Sequence, residues 1–324
     1  MSDVLIGVDL GGTNIKSAAV SRDGRVLGKD SRPTEAELGL EGVLKNIDAS
    51  VRSVLEKAGI PFQDVIAAGV GAPGPMNWQT GVVFSPPNLP GWKDVPLADL
   101  LSQRWHVPCF VDNDANVACY GEFWLGAGRE VDSMVLLTLG TGVGGGIVVM
   151  GQLLRGPDGT AGEIGHLCVS RGGRQCNCGA KGCLETYASV TGMVRTALEG
   201  IQQGENTILK EMCGGDYSGL TGKMISDAAA AGDEFALWVV QETGKWLGTA
   251  IGSLINLLNP EKVVLSGGMI AAGDLLFAPL RETALRQSFE VPGKRAMIVP
   301  AALDPDSGVI GAAGCALERL NKDS

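Results

Sequence analysis

The chain has very few histidines and aromatic residues, and it has no block of positive charge. Only two of its 324 residues are His, and Phe, Trp and Tyr together make up 5%. The formal net charge of −10 argues against a nucleic-acid-binding surface. It leaves room for an anionic ligand, because backbone amides and metal ions bind phosphate even in acidic proteins.

Long unbroken apolar segments are also absent from the sequence. The most apolar stretch, residues 134–150, is interrupted by five glycines, so it is poorly suited to span a bilayer as a helix. The first residues, MSDVLIGVDLGG, lack the basic and apolar regions of a signal peptide. We therefore expect a cytoplasmic protein with no membrane partner.

Eight cysteines in a chain of this length do not make a disulfide scaffold. Five of them lie mostly in apolar surroundings, and we expect them to be reduced core residues: Cys109, Cys119, Cys168, Cys213 and Cys315. The other three lie close together in one segment. A reducing compartment fits this usage.

That segment, residues 163–185, reads EIGHLCVSRGGRQCNCGAKGCLE. One imidazole and three thiols within eighteen residues match a closed tetrahedral Zn²⁺ site formed by His166, Cys176, Cys178 and Cys183. Four protein ligands leave no open position, so the predicted zinc is structural; a redox thiol pair is the less favoured interpretation. We call this segment the zinc loop. The other histidine, His106, is expected in a surface loop.

The same pattern of apolar strand, Gly-Thr turn and apolar strand occurs twice, at residues 4–20 and 134–150. The second turn contains G-x-G-x-x-G, but a β-rich run follows it, which excludes a Rossmann opening. Both turns expose amides that can cradle phosphate oxygens. The repeat, with alternating helices and strands elsewhere, predicts two α/β domains with a cleft between them. On the helix predicted for residues 237–258, Gly244, Gly248 and Gly252 indicate close packing against backbone.

Polar residues follow the predicted strands. Asp9 stands before the first Gly-Thr turn and suits a Mg²⁺ site, usually through water. Residues 112–116, DNDAN, lie between a short strand and a helix, and Asp114 is the candidate base for phosphoryl transfer to an alcohol. Helix capping is the alternative role for this cluster. Asn113, Glu163 and Glu185 have side chains of the type that hydrogen-bond to sugar hydroxyls.

These motifs resemble the ROK family over essentially the whole length. The matching motifs are DLGGT at 9–13, LGTGVGGG at 139–146, LSGG at 265–268, E-x-x-H at 163–166 and C-x-C-G-x-x-G-C-x-E at 176–185. The resemblance implies an actin-like (ribonuclease H-like) ATPase fold with two α/β domains. We expect a small domain at residues 1–113 plus a C-terminal helix at about 309–324, and a large domain at 114–308 that carries the zinc loop.

The resemblance also implies an activity, the ATP-dependent phosphorylation of D-glucose at the 6-hydroxyl with Asp114 as general base. The sugar would contact Asn113, Asp114, Glu163, His166, Glu185, Gly74 and Asn88. ATP would contact Asp9, Gly11, Gly12, Thr13, Gly140, Thr141, Gly142, Gly144, Gly267 and Gly268. His166 would bind zinc through one ring nitrogen and face the sugar with the other. A homodimer or homotetramer is expected.

Several alternatives stay open on the sequence. Mannose, fructose, allose and N-acetylmannosamine differ from glucose by single hydroxyls or a ring form, and the same residue types could bind any of them. Polyphosphate could replace ATP. A non-catalytic sugar sensor is less favoured because Asp9, Asp114 and both turns are intact. The family's repressors carry an N-terminal helix-turn-helix domain, for which the position of Asp9 leaves no room, so we expect a kinase.

Overall fold

The computed structural model describes residues 3–86 and 88–322. The strands are β1 (Val4–Leu10), β2 (Asn14–Ser21), β3 (Val26–Pro33), β4 (Val65–Ala72), β5 (Met76–Asn77), β6 (Val82–Val83), β7 (Val95–Pro96), β8 (Cys109–Asn113), β9 (Met134–Leu139), β10 (Val143–Val149), β11 (Gln152–Leu153), β12 (Lys262–Ser266) and β13 (Met297–Pro300). The helices are α1 (Gly39–Ala58), α2 (Leu97–Trp105), α3 (Asp114–Leu125), α4 (Glu185–Ala188), α5 (Val190–Gln203), α6 (Leu209–Met212), α7 (Gly222–Ala230), α8 (Glu234–Leu258), α9 (Asp274–Gln287), α10 (Glu290–Arg295) and α11 (Ser307–Lys322).

Two five-stranded sheets share one connectivity. Their orders are β3-β2-β1-β4-β8 and β11-β10-β9-β12-β13, so strands occur in the order third, second, first, fourth, fifth in both. β1 runs antiparallel to β2 and parallel to β4, and β12 runs parallel to β9 and β13. Strands β5, β6 and β7 form a third, small antiparallel sheet. The internal repeat predicted from the two Gly-Thr turns is confirmed at the level of strand order.

The chain divides into two units. Unit 1 comprises residues 1–131, 146–162 and 302–324, and unit 2 comprises residues 132–145 and 163–301. This division differs from the boundary predicted at residues 113 and 114. The reason is that α3 packs against α11 within unit 1: a Cβ on Gly311 would lie 1.6 Å from the backbone oxygen of Val117. The chain also returns to unit 1 at residues 146–162.

The first sheet buries both faces, which explains its long apolar strands. On β1, Val4, Ile6 and Val8 belong to the core that includes α1, whereas Leu5 belongs to the core that includes α11. Helix α11 lies directly on the strand, because a Cβ on Gly7 would lie 1.8 Å from the backbone oxygen of Val309. Glycine on β1 therefore sets how closely the helix approaches the sheet.

Within unit 2, α8 uses its glycines as predicted. A Cβ on Gly244 would lie 2.6 Å from the Leu276 backbone oxygen, and one on Gly248 would lie 2.5 Å from that of Leu280. Both oxygens belong to α9. The close-packing interpretation of the glycine face is confirmed, with α9 as the neighbouring helix.

The cysteines outside the zinc loop divide into two groups. Cys109, Cys119 and Cys315 are buried, as predicted, but Cys168 is exposed and Cys213 is half-buried. The prediction was wrong for these two because Cys168 lies in the irregular zinc loop and Cys213 follows the short surface helix α6. His106 is exposed, as expected. Among the described residues, no helix has both the length and the apolar character needed to cross a membrane.

Candidate active site

The first glycine turn joins β1 to β2 in unit 1. The Gly11 amide donates to the Asn14 oxygen at 3.0 Å, and the Thr34 hydroxyl donates to the Gly11 oxygen at 2.7 Å. Gly11 and Gly12 are half-buried and Thr13 is exposed. Hydrogen bonds to Asn14 and Thr34 therefore fix the turn, and Thr13 remains accessible to a ligand.

Asp9 lies at the same level of the sheet as Asp112, the first residue of the predicted base cluster. The strand register pairs Asp9 with Gly71 and Gly71 with Asp112. Two strand spacings separate Asp9 from Asp112, about 10 Å. Burial raises the pKa of Asp9, partly offset by the positive charge of Lys16. A carboxylate in this position is more stable in its ionised form when a cation binds nearby.

The residues after Asp112 form the start of α3. Asn113 is the N-cap residue, and its side-chain oxygen accepts hydrogen bonds from the Ala115 amide at 2.9 Å and the Asn116 amide at 3.4 Å. The capping role proposed for this cluster therefore belongs to Asn113. Asp114 is the first helical residue and is exposed. The structure thus holds an accessible carboxylate at a fixed point on a helix.

Gly74 and Asn88, two of the expected sugar contacts, lie near these elements. Ala72 at the end of β4 is the register partner of Asn113, and Gly74 follows two residues later with φ +83°. A Cβ on Gly12 would lie 2.8 Å from the Cβ of Asn88. Gly74 therefore lies near the base cluster, whereas Asn88 packs on the first glycine turn.

The second glycine turn, which leads into β10, is tied to the end of the zinc loop in unit 2. Glu185 accepts a hydrogen bond from the Val143 amide at 3.0 Å, and a Cβ on Gly142 would lie 2.2 Å from the same carboxylate oxygen, Oε2. The Val190 amide donates to the Gly140 oxygen at 2.9 Å. Gly140 and Thr141 themselves are exposed. Residues that follow the cysteines thus set the conformation of this turn.

Glu163 and His166 are exposed residues at the two ends of a short 3₁₀ helix, Ile164–His166, with Glu163 as its N-cap residue. The His166 amide donates to the Glu163 oxygen at 3.0 Å. A Cβ on Gly165 would lie 2.1 Å from the backbone oxygen of Val143, so only glycine fits here. The short helix between the two candidate sugar ligands is therefore packed against the start of β10.

Four side chains of the zinc loop converge on one point. The ligand atoms of His166, Cys176, Cys178 and Cys183 lie within 4.8 Å of one another. The Cys178 and Cys183 sulfurs are 3.7 Å apart, as are the Cys176 sulfur and His166 Nδ1. Thiolates on a tetrahedral Zn²⁺ with bonds of about 2.3 Å would stand about 3.8 Å apart. The donor set and spacing fit that ion.

Thiol electrostatics in this cluster also favour a cation. Burial, followed by the neighbouring Cys178 and Cys176, raises the pKa of Cys183 to about 12. Without a positive charge the Cys183 sulfur would stay protonated at neutral pH, whereas a coordinated metal ion deprotonates thiols outright. The cluster is therefore suited to hold a metal ion.

The third glycine motif borders a cavity in unit 2. Gly267 follows β12 with φ +98°, and a Cβ there would lie 2.4 Å from the Leu139 backbone oxygen at the end of β9. A cavity of about 440 Å³ lies beside Gly268. Its walls come from α7, the start of α5 and residues 268–275, and its lining includes Val190, Gly222, Ser226, Met269, Ala272 and Leu275. Its size and mostly apolar walls suit a planar organic group.

The structure thus brings the predicted site residues together in two groups. Unit 1 holds Asp9, Gly11, Gly12, Thr13, Gly74, Asn88, Asn113 and Asp114. Unit 2 holds Gly140, Thr141, Gly142, Gly144, Glu163, His166, Cys176, Cys178, Cys183, Glu185, Gly267 and Gly268. Sequence reasoning missed Ser226 and the other α7 residues of the cavity, because nothing within the α7 sequence marks a ligand pocket.

The chain is similar to known proteins over nearly its whole length. The glucokinase of Thermotoga maritima is 40% identical over 316 residues, with 98% of each chain covered. That of Halalkalibacterium halodurans is 43% identical over 310 residues, covering 94% of this chain and 92% of the relative. The crystal structure of a ROK family glucokinase from Streptomyces griseus in complex with glucose and AMPPNP has a TM-score of 0.81 at 35% identity, and covers 97% of this chain and 99% of that one.

The fold is therefore the α/β, actin-like ATPase fold of the sugar kinases, as predicted. The ROK family model matches residues 5–319, and the chain belongs to the ROK family.

Proposed function

We propose that this chain transfers the γ-phosphoryl group of ATP to the 6-hydroxyl of D-glucose, giving glucose 6-phosphate and ADP. The observation that carries the proposal is the accessible carboxylate of Asp114, fixed on a capped helix start in a fold whose relatives are glucokinases. Phosphoryl transfer needs little covalent chemistry from the protein. It needs positioning, charge stabilisation and a group that takes the acceptor's proton.

Asp114 would orient the glucose 6-hydroxyl and accept its proton. Asn113 cannot swing freely toward a ligand, because its side-chain oxygen caps α3. It would offer its amide nitrogen to a sugar oxygen while the cap is kept. Glu163, His166 and Glu185 would bind further hydroxyls and so decide which hexose is accepted.

ATP would be held by the two glycine turns and the cavity. The exposed amides at Gly11–Thr13 and Gly140–Gly142 suit phosphate oxygens, and the cavity beside Gly268 suits the adenine ring. Asp9 would hold Mg²⁺ through water, and the ion would offset phosphate charge. The cluster of one histidine and three cysteines would hold a structural Zn²⁺, with His166 bound through Nδ1 and its Nε2 free for the sugar.

The deciding measurement is kcat/KM for a panel of hexoses with ATP, followed as ADP release. We expect glucose to give the highest value, above mannose, fructose, allose and N-acetylmannosamine. A higher value for another hexose would make that hexose the assigned substrate. No turnover with any hexose of the panel would favour a sugar sensor. Replacing ATP by polyphosphate in the same assay tests the donor. Light scattering of the purified protein tests the proposed dimer or tetramer.

The adenine assignment predicts a selective effect of filling the cavity. Ser226 lines it and is half-buried, so Ser226→Trp would place an indole where the base binds. We expect KM for ATP to rise about tenfold or more, with KM for glucose changed less than about twofold. Ser253→Trp, at an exposed position on α8, is the matched control. An unchanged KM for ATP in the Ser226 variant would place the base elsewhere.

A further inference from the structure

One ion pair is buried directly behind the base cluster. Arg155 follows β11, and its side chain is 7% exposed. Its Nε donates to Oδ2 of Asp112 at 2.6 Å, and its terminal nitrogen donates to Oε2 of Glu318 at 3.3 Å. The guanidinium lies over the Trp78 ring, 4.9 Å from its centroid. Arg155 is thus held by two carboxylates and an aromatic face.

The other oxygen of Asp112 holds the base cluster. Oδ1 accepts hydrogen bonds from the Asn113 amide at 2.8 Å and from Nδ2 of Asn116 at 3.0 Å. These contacts lie on either side of Asp114 in the chain. One carboxylate therefore connects Arg155, through Oδ2, to the backbone that carries the base.

Asp112 needs a counter-charge in this position. It is 6% exposed, and a buried carboxylate without a partner is strongly disfavoured. Burial by itself lowers the pKa of Arg155, but Asp112, Cys315 and Glu318 together outweigh burial and the pKa is raised, so the guanidinium stays charged. The fork geometry of arginine lets it contact Asp112 and Glu318 together.

The main chain of Arg155 adds a second connection. Its backbone oxygen accepts a hydrogen bond from the Ala161 amide at 3.1 Å. This bond closes the loop that ends at Gly162, immediately before Glu163 in the chain. Arg155 is therefore fixed at both its side chain and its backbone, as expected of a residue that must hold another in place.

We propose that Arg155 is a positioning residue for phosphoryl transfer: it fixes Asp112, and through Asp112 the turn that carries Asp114. The inference rests on the proposed role of Asp114 as base. It assigns to Arg155 an effect on the chemical step and not on ATP affinity, because none of its contacts with the described residues involves the glycine turns or the cavity.

The test compares variants on the two sides of Arg155. We expect Arg155→Met to lower kcat about a hundredfold, since small displacements of a catalytic group have effects of that size, and to change KM for ATP less than about twofold. Asp112→Asn keeps the volume but breaks the pair, and we expect a fall in kcat of at least about tenfold. Glu318→Gln removes only the carboxylate remote from the base and should keep kcat within about threefold.

A double variant separates positioning from general destabilisation. If Arg155 acts through Asp112, Arg155→Met with Asp112→Asn should be no slower than the slower single variant, because residues acting as one unit are non-additive. The proposal would be overturned if the double variant lost kcat by the product of the two single-variant losses. It would also be overturned if Arg155→Met and Arg155→Lys both kept kcat within about threefold of the parent. If Arg155→Met does not fold, Asp112→Asn alone decides by its kcat.

Failure of this inference is distinguishable from failure of the proposed function. An inactive Asp114→Ala variant together with a normal Arg155→Met variant would refute only the positioning role of Arg155. An active Asp114→Ala variant would refute the assignment of Asp114 as the base.

Discussion

Replacing Asp114 by alanine is expected to lower kcat for glucose phosphorylation by about 10²–10⁴-fold, the usual contribution of a general base. The fold should survive because Asp114 is exposed and the cap of α3 comes from Asn113. Alanine also has the highest intrinsic helix propensity, so it does not break α3. Nucleotide affinity, measured by calorimetry with a non-hydrolysable analogue, should stay close to that of the parent protein.

Asp114→Asn is the informative companion variant. Asparagine has nearly the same shape and can orient a hydroxyl, but it cannot take the proton. If both variants are equally slow, proton transfer is the main contribution of Asp114 to kcat. If Asp114→Asn keeps most of the rate, orientation of the hydroxyl is the main contribution. A near-normal kcat for Asp114→Ala would show that another group is the base.

Cys178→Ser is expected to lose the metal and the affinity for glucose together. Cys178 is exposed, so the substitution removes a ligand without leaving a cavity in a core. Without the metal, the loop that carries His166 and leads to Glu185 would lose its fixed geometry. We expect zinc, measured by elemental analysis, to fall from about one per chain toward zero, and KM for glucose to rise about 10–100-fold.

Cys168→Ser is the matched control for this prediction. Cys168 is an exposed cysteine of the same loop, and its sulfur is not among the four convergent ligand atoms. This variant should keep both the metal and the parent KM. A metal-free Cys178→Ser protein with an unchanged KM for glucose would refute the coupling between metal and sugar.

The repeated strand and turn pattern could be predicted because it depends on residues that are neighbours in the sequence. Apolar β-branched runs beside glycine turns placed β1, β2 and β9 correctly, and glycines spaced by four residues identified the packed face of α8. Strand β10 was expected only after the last glycine of its turn, but it begins earlier, at Val143. Prediction of a glucose-phosphorylating kinase, which came from the motifs, agrees with the glucokinase relatives. The roles of individual site residues remain predictions.

Other features depend on contacts between distant residues, and no local pattern reveals them. Glu185 and the Val143 amide that it accepts from are 42 residues apart. Arg155 resembles an ordinary surface arginine in sequence, yet its partners Asp112 and Glu318 are 43 and 163 residues away. The same limit explains the domain boundary, because helix α3 belongs with α11 only through packing on glycines such as Gly311.

Under the proposed function, the hydrogen bond from the Val143 amide to Glu185 would make one carboxylate common to sugar recognition and phosphate binding. One oxygen, Oε2, is committed to the second glycine turn, while the group as a whole is proposed to read a sugar hydroxyl. Occupancy of the sugar position and the conformation of the phosphate turn are then thermodynamically linked, and such linkage is reciprocal. A kinase built in this way has a direct means to favour productive ATP geometry only after the hexose arrives, which limits wasteful transfer to water.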